Sequence, residues 1–393
     1  MLVDIMPTRY QALLETLAGY KKTGMSLIAY DGHSLHPPAF GDDVGIYYFV
    51  PKIAQVFNMP IDRSFDIFII GLTLISVVLA LVGLFLLFKR PASIIVSLLG
   101  VSVLAFTMLK LSDVYVAAPF AILSVVPICL YFIQQNKLCW SLLVTLFFAG
   151  SIIGIANAMR SNAGTTVMIF LLILLAFYMR VPRRVKLILL SMLIIGTLIP
   201  SAFFSLLLNH RDDYLRTVAT NNCAPRQHVI WHSIYIGLGF LNNEYDIRYK
   251  DEVAFAKVKS ISASVAYLSP EYEAILRKEV VSLAMNHPTF IIKTVLAKLG
   301  VMQGYLLIFA NLGLLAAAIY RKRCSLELAF WVGLAFSSIS GLLVVPIPGY
   351  VSGFIALAML YSIMSINYAM ENGLYHDIMR LLANLRNMAK LAT

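Results

Sequence analysis

Nine long apolar stretches, separated by short polar connections, constrain this chain more than any other feature of its sequence. They cover residues 66–88, 92–109, 117–134, 138–157, 165–179, 186–208, 299–320, 326–345 and 350–368. A helix needs about 20 apolar residues to cross a bilayer, and it satisfies its own backbone polar groups there. With 60% hydrophobic and 13% charged residues, the chain is too apolar for a soluble globular protein. The sequence therefore predicts an all-α polytopic membrane protein with about nine transmembrane helices.

Basic residues occur at every second connection between these stretches. They are Lys89, Arg90, Lys137, Arg180, Arg183, Arg184, Lys186, Arg321, Lys322 and Arg323. The short connections on the opposite side contain only Lys110 and Arg160 as cations, with Asp113 nearby. The positive-inside rule places the basic set in the cytoplasm, so the other connections lie outside. This pattern also accounts for the net charge of +11, and nucleic acid is not an expected partner because no basic soluble domain is present.

The same pattern divides the chain into five segments. Residues 1–65 form an amino-terminal segment with a first outer loop, 66–208 contain six transmembrane helices, 209–298 form a large extracytoplasmic loop, 299–368 contain three more transmembrane helices, and 369–393 form an amphipathic cytoplasmic tail. The loop is expected to fold as a small α or mixed domain. In it, Ser269 is the predicted N-cap of a helix over 270–285, and 290–298 is read as a second, interfacial helix.

Two adjacent carboxylates, Asp42 and Asp43, stand before the first apolar stretch. The segment 44–57 that follows has apolar residues at helical spacing, which predicts a helix lying in the membrane interface. Charged groups at membrane level usually line a site or an aqueous cavity, so we expect the pair to be catalytic, with one carboxylate as general base. The alternative is a solvated turn after Gly41.

Two further outer connections supply candidate binding residues. Lys110 and Asp113 are three positions apart, so they either pair with each other on a helix or serve as a phosphate-binding cation and a second acid. Arg160 has the geometry for a bidentate phosphate contact, and it could equally anchor its helix at the lipid headgroups.

In the large loop, His228 and His232 are four positions apart. On a helix this spacing suits a hydrogen bond to substrate or phosphate, a shared metal ion, or a structural role, and the sequence leaves these open. A third ligand in register is missing, so no metal site and no cofactor is assigned, although a divalent cation remains open. The four cysteines imply no disulfide framework.

The motif GDDVGIYYFVP before the first stretch, the motif KLSDVY at the second outer connection and the large late loop resemble the GT-C superfamily of membrane glycosyltransferases. That class includes the protein O-mannosyltransferases and the lipid A aminoarabinose transferases. The loop over 228–246 is also similar to bacterial membrane proteins with a motif of the form HxxWHSxYxGLG.

The resemblance implies a GT-C-like bundle in a bacterial inner or cell membrane. It further implies inverting transfer of a sugar from a polyprenyl-phosphate donor to an extracytoplasmic glycan, lipid or protein acceptor. Asp42 would be the base, with Asp43 beside it and Asp113 as the second acidic position. The family has a transmembrane helix before its acidic loop, and residues 1–29 contain no apolar run long enough for one. We expect such a helix to precede the first residue. The alternatives are an amino terminus that lies outside without an obvious export signal, or an inverted topology.

Two other functions fit the same sequence. A multi-span transporter or lipid flippase would also place charges at the membrane edge, and it predicts polar or broken helices near the midplane. An enzyme like an O-antigen ligase or polymerase would use a lipid-linked sugar too, but it would depend on arginine and histidine of the large loop rather than on the early acidic pair.

Overall fold

The computed structural model describes residues 5–38, 43–111, 113–218 and 230–374. Within these ranges, eight helices are long and apolar enough to cross a membrane, and a ninth apolar segment, Thr165–Tyr178, is shorter. The protein is therefore an all-α polytopic membrane protein, as the sequence predicts.

The elements follow in chain order. They are α1 (Pro7–Thr23), β1 (Ala29–Tyr30), β2 (Leu35–His36), α2 (Val44–Val56), α3 (Ile61–Leu87), α4 (Pro91–Leu111), α5 (Ala117–Gln134), α6 (Trp140–Met159), α7 (Thr165–Ile173), α8 (Arg183–Val218), α9 (Ile230–Gly237), α10 (Asp251–Ile261), α11 (Pro270–Asn286), α12 (Pro288–Ile319), α13 (Cys324–Leu343) and α14 (Ser352–Ala369). Short 3-10 turns at Asp113–Val116 and Leu238–Phe240 and π turns at Leu174–Tyr178 and Met370–Leu374 extend α5, α9, α7 and α14.

The connections between the apolar helices collect at two ends of the bundle, and each end contains a cavity. One cavity is lined from the ends of α3, α5 and α14 and from the basic connection 321–323, and we call this the basic end. The other is lined from the beginning of α5 and from the connections after α6 and α13, and we call this the outer end. The central helices are α5 and α14, since 78% of the apolar window of each is buried.

The amino-terminal residues fold against the outer end as a helix and a small hairpin. Helix α1 ends at Gly24, whose φ of +71° is in the left-handed region and whose N–H bonds to Tyr20 O at 2.8 Å. The strands β1 and β2 pair antiparallel around Asp31 and Gly32, and Gly32 has a φ of +96°. The Asp31 carboxylate accepts hydrogen bonds from the N–H groups of Ser34 and His33, which lower its pKa to about 2.

Helix α2 forms where it is predicted, and its apolar stripe packs against protein. Its residues Ile46, Tyr47 and Val50 are at most 1% exposed, and the helix packs against α1, α3 and α6. At Gly45 an added Cβ would lie 3.0 Å from the backbone of Ala158, so the glycine permits close approach to α6. Other helices therefore cover the amphipathic stripe on several sides. The residue pattern of a single helix cannot show whether its apolar face contacts protein or lipid.

Two helices are longer than the apolar stretches that predict them. Helix α8 continues to Val218, beyond the end of its apolar run, and α12 begins at Pro288. The separate interfacial helix predicted over 290–298 is therefore wrong, because those residues form the first turns of α12. The apolar window marks the length of helix in the bilayer, whereas the helix itself ends where hydrogen bonding and capping end it.

The part of the large loop that the structure describes forms a small helical unit, α9 to α11, which we call the cap. It has a hydrophobic cluster of its own, which includes Tyr235, Ile247, Val258, Tyr272 and Leu276. Helix α11 begins as predicted, because the Ser269 side chain accepts a hydrogen bond from Tyr272 N at 3.1 Å. The cap lies at the outer end, between the end of α8 and the beginning of α12.

Candidate binding site at the outer end

A buried arginine joins the acidic residues of the outer end. Arg9 Nη1 donates to the Asp43 carboxylate at 2.5 Å, and Arg9 Nε donates to the Asp113 carboxylate at 2.8 Å. Asp43 also lies 3.3 Å from Arg160 Nη1. The side chains of Arg9, Asp43 and Asp113 are at most 4% exposed. Residues from four distant parts of the sequence therefore form one ionic cluster, which we call the Arg9 cluster: Arg9, Asp43, Asp113 and Arg160.

Each member of the Arg9 cluster lies at the end of an element. Arg9 is in the first turn of α1, Asp43 immediately precedes α2, and Arg160 immediately follows α6. Asp113 lies at the joint between α4 and α5 with a φ of +58°. Aspartate adopts this left-handed conformation more readily than most residues, which allows the chain to reverse between two membrane helices while its carboxylate faces Arg9.

The neighbouring carboxylates favour the charged form of Arg9 although it is buried. Burial alone would lower the pKa of Arg9, but the Asp43 carboxylate, the Tyr47 hydroxyl and the Asp113 carboxylate raise it above its ordinary value. Burial raises the pKa of Tyr47, whose hydroxyl accepts from Arg9 Nη1 at 3.4 Å. Two guanidinium groups and two carboxylates balance in formal charge, and buried charges are tolerated when they are paired and hydrogen-bonded in this way.

Beside the cluster, a cavity of about 410 Å³ opens between the bundle and the cap. Helix α9 of the cap contributes Ser233 and Ile234, and α13 contributes Ser340 and Leu343 to the opposite wall. Apolar side chains and a few hydroxyl groups thus share the lining. Such a cavity suits a ligand that has an apolar part and a polar part.

Arg160 connects the Arg9 cluster to this cavity. It is part of the cavity wall, and its side chain is 21% exposed, in contrast to the fully buried Asp43 behind it. Its guanidinium carbon lies 5.6 Å from the Tyr115 ring centroid and 5.9 Å from that of Tyr350. A carboxylate on one side and two aromatic rings on others restrict the orientation of this cation. The arrangement presents a positioned guanidinium to whatever enters the cavity.

No family model, curated protein or solved structure matches this chain. The chemistry of the site is therefore inferred from its own residues.

The predicted site residues are distributed unevenly over this structure. Arg160 contacts Asp43 directly, and Asp113 is joined to Asp43 through Arg9, whereas Asp42 lies outside the described residues. The alternative in which Lys110 and Asp113 pair with each other is wrong: Asp113 bonds to Arg9, and Lys110 is exposed with its ammonium 5.8 Å from the Phe106 ring. The left-handed turn at Asp113 ends the helix between them, so the three-residue spacing no longer places both on one face.

His232 lies in the cap, and His228 is outside the described residues. The His232 side chain is 8% exposed, with Nδ1 2.8 Å from the Tyr272 hydroxyl and Nε2 3.1 Å from Asp251 Oδ1. Its hydrogen bond lowers the pKa of Asp251. Both ring nitrogens of His232 are thus engaged within the cap. Of the three alternatives for this residue, the structure supports the structural role. Among the described residues, no three His, Cys, Asp or Glu side chains are grouped to hold a metal ion.

Three important residues of the site were missed at the sequence level: Arg9, Tyr115 and Tyr350. Arg9 gave a signal, because it shares a helical face of α1 with the buried residues Leu13 and Thr16. A lone arginine on a buried stripe requires a partner. Tyr115 and Tyr350 could not be singled out from the sequence, because aromatic residues near helix ends are common in membrane proteins.

Proposed function

We propose that this protein is a membrane glycosyltransferase that moves a sugar from a polyprenyl-phosphate donor to an acceptor at the extracytoplasmic face. The observation that carries the proposal is the guanidinium of Arg160 in the wall of the outer cavity, held from behind by the buried carboxylate of Asp43. A guanidinium matches the geometry of a phosphate group, and a partly dehydrated site strengthens that contact.

The size and lining of the cavity support a lipid-linked sugar as ligand. A volume of about 410 Å³ corresponds to roughly a dozen water molecules at about 30 Å³ each, which accommodates a sugar phosphate. Ser233, Ser337 and Asn162 offer hydrogen-bonding groups for sugar hydroxyls, whereas Ile339 and Leu343 offer an apolar surface for the first isoprene units.

In the proposed reaction, an acceptor hydroxyl attacks the anomeric carbon of the donor. A new carbon–oxygen bond forms on one face as the bond to the phosphate oxygen breaks on the other, so the configuration inverts. A carboxylate takes the hydroxyl proton, and the bonding electron pair leaves with the phosphate, whose charge Arg160 stabilises. Polyprenyl phosphate is the second product.

The two acids of the first outer loop take different roles in this proposal. Asp42 is the proposed base, and it lies outside the described residues. Asp43 has no exposed surface and already accepts from Arg9 and Arg160, so it cannot meet an acceptor hydroxyl in this conformation. We assign Asp43 to positioning Arg160.

The test uses the full-length protein in lipid nanodiscs with a panel of radiolabelled polyprenyl-phosphate hexoses, and it measures release of polyprenyl phosphate. Arg160→Gln should lower the rate by roughly 10²- to 10³-fold, the usual cost of removing one stabiliser of developing charge. Asp42→Asn should lower it by about 10²- to 10⁴-fold. Arg63→Gln, on an exposed arginine outside the cavity, is the control. Wild-type rates for Arg160→Gln and Asp42→Asn would refute the proposal.

Two further measurements separate the alternatives. A flippase would move a fluorescent polyprenyl-phosphate sugar across a vesicle membrane without breaking its bond to the sugar. An enzyme of the ligase type would retain its rate in Asp42→Asn and lose it in Arg226→Gln, on an arginine of the large loop.

A further inference from the structure

A second cavity lies at the basic end of the bundle and has no part in the proposed transfer reaction. Its volume is about 330 Å³, and its lining includes Gln134, Tyr178, Lys322, Arg323 and Tyr368. The positive-inside rule assigns this end to the cytoplasm. The cavity is therefore accessible from the inner leaflet or from the cytoplasm, away from the Arg9 cluster.

The two cavities are separated by packed side chains of the central helices. Between them, the Phe330 ring packs against Phe170 with centroids 4.9 Å apart and against Tyr361 with centroids 5.2 Å apart. All three side chains are at most 1% exposed. A ligand in one cavity therefore does not reach the other, and the basic cavity has to be explained by its own chemistry.

Two cations line this cavity, and the charge of one of them, Lys322, is compensated by an ion pair. Its ammonium lies 2.7 Å from Glu327 Oε1 and 2.7 Å from Ser365 Oγ, and its side chain is 2% exposed. The Tyr361 hydroxyl donates to the other oxygen of Glu327 at 2.9 Å. Lys322 and Glu327 thus contribute no net charge to the cavity.

Arg323 supplies the uncompensated charge. Its guanidinium carbon lies 5.0 Å from the Tyr178 ring centroid, and no carboxylate in the described part of the chain forms an ion pair with it. Glu371, the other acid near this end among the described residues, bonds to Arg90 and to the N–H groups of Lys89 and Arg90. The cavity therefore has a net positive lining.

The donors around Arg323 are those that a phosphate group needs. The Gln134 amide can donate hydrogen bonds, and so can the hydroxyls of Tyr178 and Tyr368. Arg323 can make a bidentate contact with two phosphate oxygens. Phe88 and Leu326 complete the wall with apolar surface, which suits the glycerol or acyl portion of a lipid.

We propose that the basic cavity binds the phosphate group of an anionic ligand at the cytoplasmic side. The ligand is either an inner-leaflet lipid with a phosphate monoester head or a soluble phosphate compound, and Arg323 is its principal contact. This site goes beyond the proposed glycosyl transfer and does not depend on it.

The experiment uses the full-length protein in phosphatidylcholine nanodiscs and two probes. Inorganic pyrophosphate binding is measured by calorimetry, and phosphatidic acid retention is measured by native mass spectrometry after doping the nanodiscs with that lipid. Arg323→Gln should weaken binding of the probe that occupies the site about tenfold or more, since one charge-assisted contact is lost. Arg321→Gln, on an exposed arginine outside the cavity, is the matched control and should bind as wild type.

A second variant leaves Arg323 in place. Gln134→Glu adds a carboxylate to the lining at an exposed position, so it should also weaken phosphate binding without affecting folding. Pyrophosphate binding identifies a soluble ligand, and retention of phosphatidic acid alone identifies a lipid. The proposal is overturned if neither probe binds, if Arg323→Gln binds like wild type, or if Arg321→Gln causes the same loss.

Discussion

The guanidinium of Arg9 contacts two aspartates that come from different connections of the chain. Removing it would take away a cation that pairs with both buried carboxylates, Asp43 and Asp113. Desolvated charges that lose a partner cost far more than the pair contributed when intact. Arg9 is therefore both a stabilising residue and the indirect support of Arg160.

Arg9→Gln should lower the free energy of unfolding by about 3 to 5 kcal/mol, because it breaks a buried ion pair. Denaturation of the purified protein in detergent micelles measures the change. Arg63→Gln, at an exposed position, should have an effect near zero. Adding Asp113→Asn to Arg9→Gln should recover part of the loss, because one unpaired carboxylate is then removed. Equal stability of Arg9→Gln and wild type would contradict the pairing.

The stability of the cap depends on acid pH through Asp251. Its hydrogen bond with His232 lowers its pKa, so the folded cap binds this proton less readily than the unfolded chain does. The resulting stabilisation is present above the ordinary pKa of about 3.9 and is lost as the pH falls through the lowered value.

Hydrogen exchange in α9 should therefore accelerate as the pH falls below about 4, after correction for intrinsic exchange rates. Asp251→Asn should remove this acid-dependent component, whereas Asp246→Asn, at an exposed position, should retain it. An unchanged acid profile in Asp251→Asn would exclude the contribution of the pair.

At the scale of elements, the crossing of α6 and α8 depends on glycine. Gly150 and Gly154 are four positions apart on α6, and Gly196 of α8 faces Gly150. A Cβ on Gly150 would overlap the carbonyl oxygen of Leu193, and one on Gly154 would lie 2.7 Å from Thr197 O. In lipid, helices associate through such close packing of small residues rather than through the hydrophobic effect.

Gly150→Ala should destabilise the protein by about 1 to 3 kcal/mol, because the methyl group forces two backbones apart. Gly300→Ala on α12 is the matched control, since nothing lies within 4 Å of a Cβ there. That substitution should stabilise the protein by about 0.5 to 1 kcal/mol through helix propensity. Unfolding in detergent compares the two, and effects of the same sign would refute this account of the crossing.

At the scale of the whole molecule, the cap and the bundle have separate hydrophobic clusters, and the cap approaches the bundle at the end of α13. The buried Lys298 ammonium donates to the carbonyls of Leu342 and Val344 at 3.1 and 2.7 Å. A Cβ on Gly237 of α9 would lie 2.5 Å from Val344 O. The outer cavity lies at this same junction, so its shape depends on how closely the cap approaches the bundle.

Gly237→Val should displace the cap without unfolding the bundle. We expect hydrogen exchange in α9 to α11 to increase and ligand affinity at the outer cavity to fall about tenfold or more, while exchange in α5 and α14 stays unchanged. Gly304→Val is the control, because its Cβ would meet nothing within 4 Å. A cap that exchanges as slowly as in wild type would contradict the role of Gly237 at this junction.

The sequence by itself determined the membrane class, the nine apolar segments and the alternation of their connections. It also located the cap helix α11 through Ser269. These features follow from local hydrophobicity, charge and capping, which act over one helix or one connection. The boundaries of the helices over 183–218 and 288–319 could not be predicted from the sequence, because polar turns extend each helix beyond its apolar run.

Only the tertiary structure decided which charges meet. Asp113 and Arg160 could each be singled out as residues near the membrane, but their pairing through Arg9 and Asp43 depends on how four helix ends converge. Tertiary structure alone also decided three other features: the burial of α2, the placement of His232 in the cap core and the cavity beside Arg160. Each depends on contacts between residues far apart in the chain, and spacing within a single segment contains no information about them.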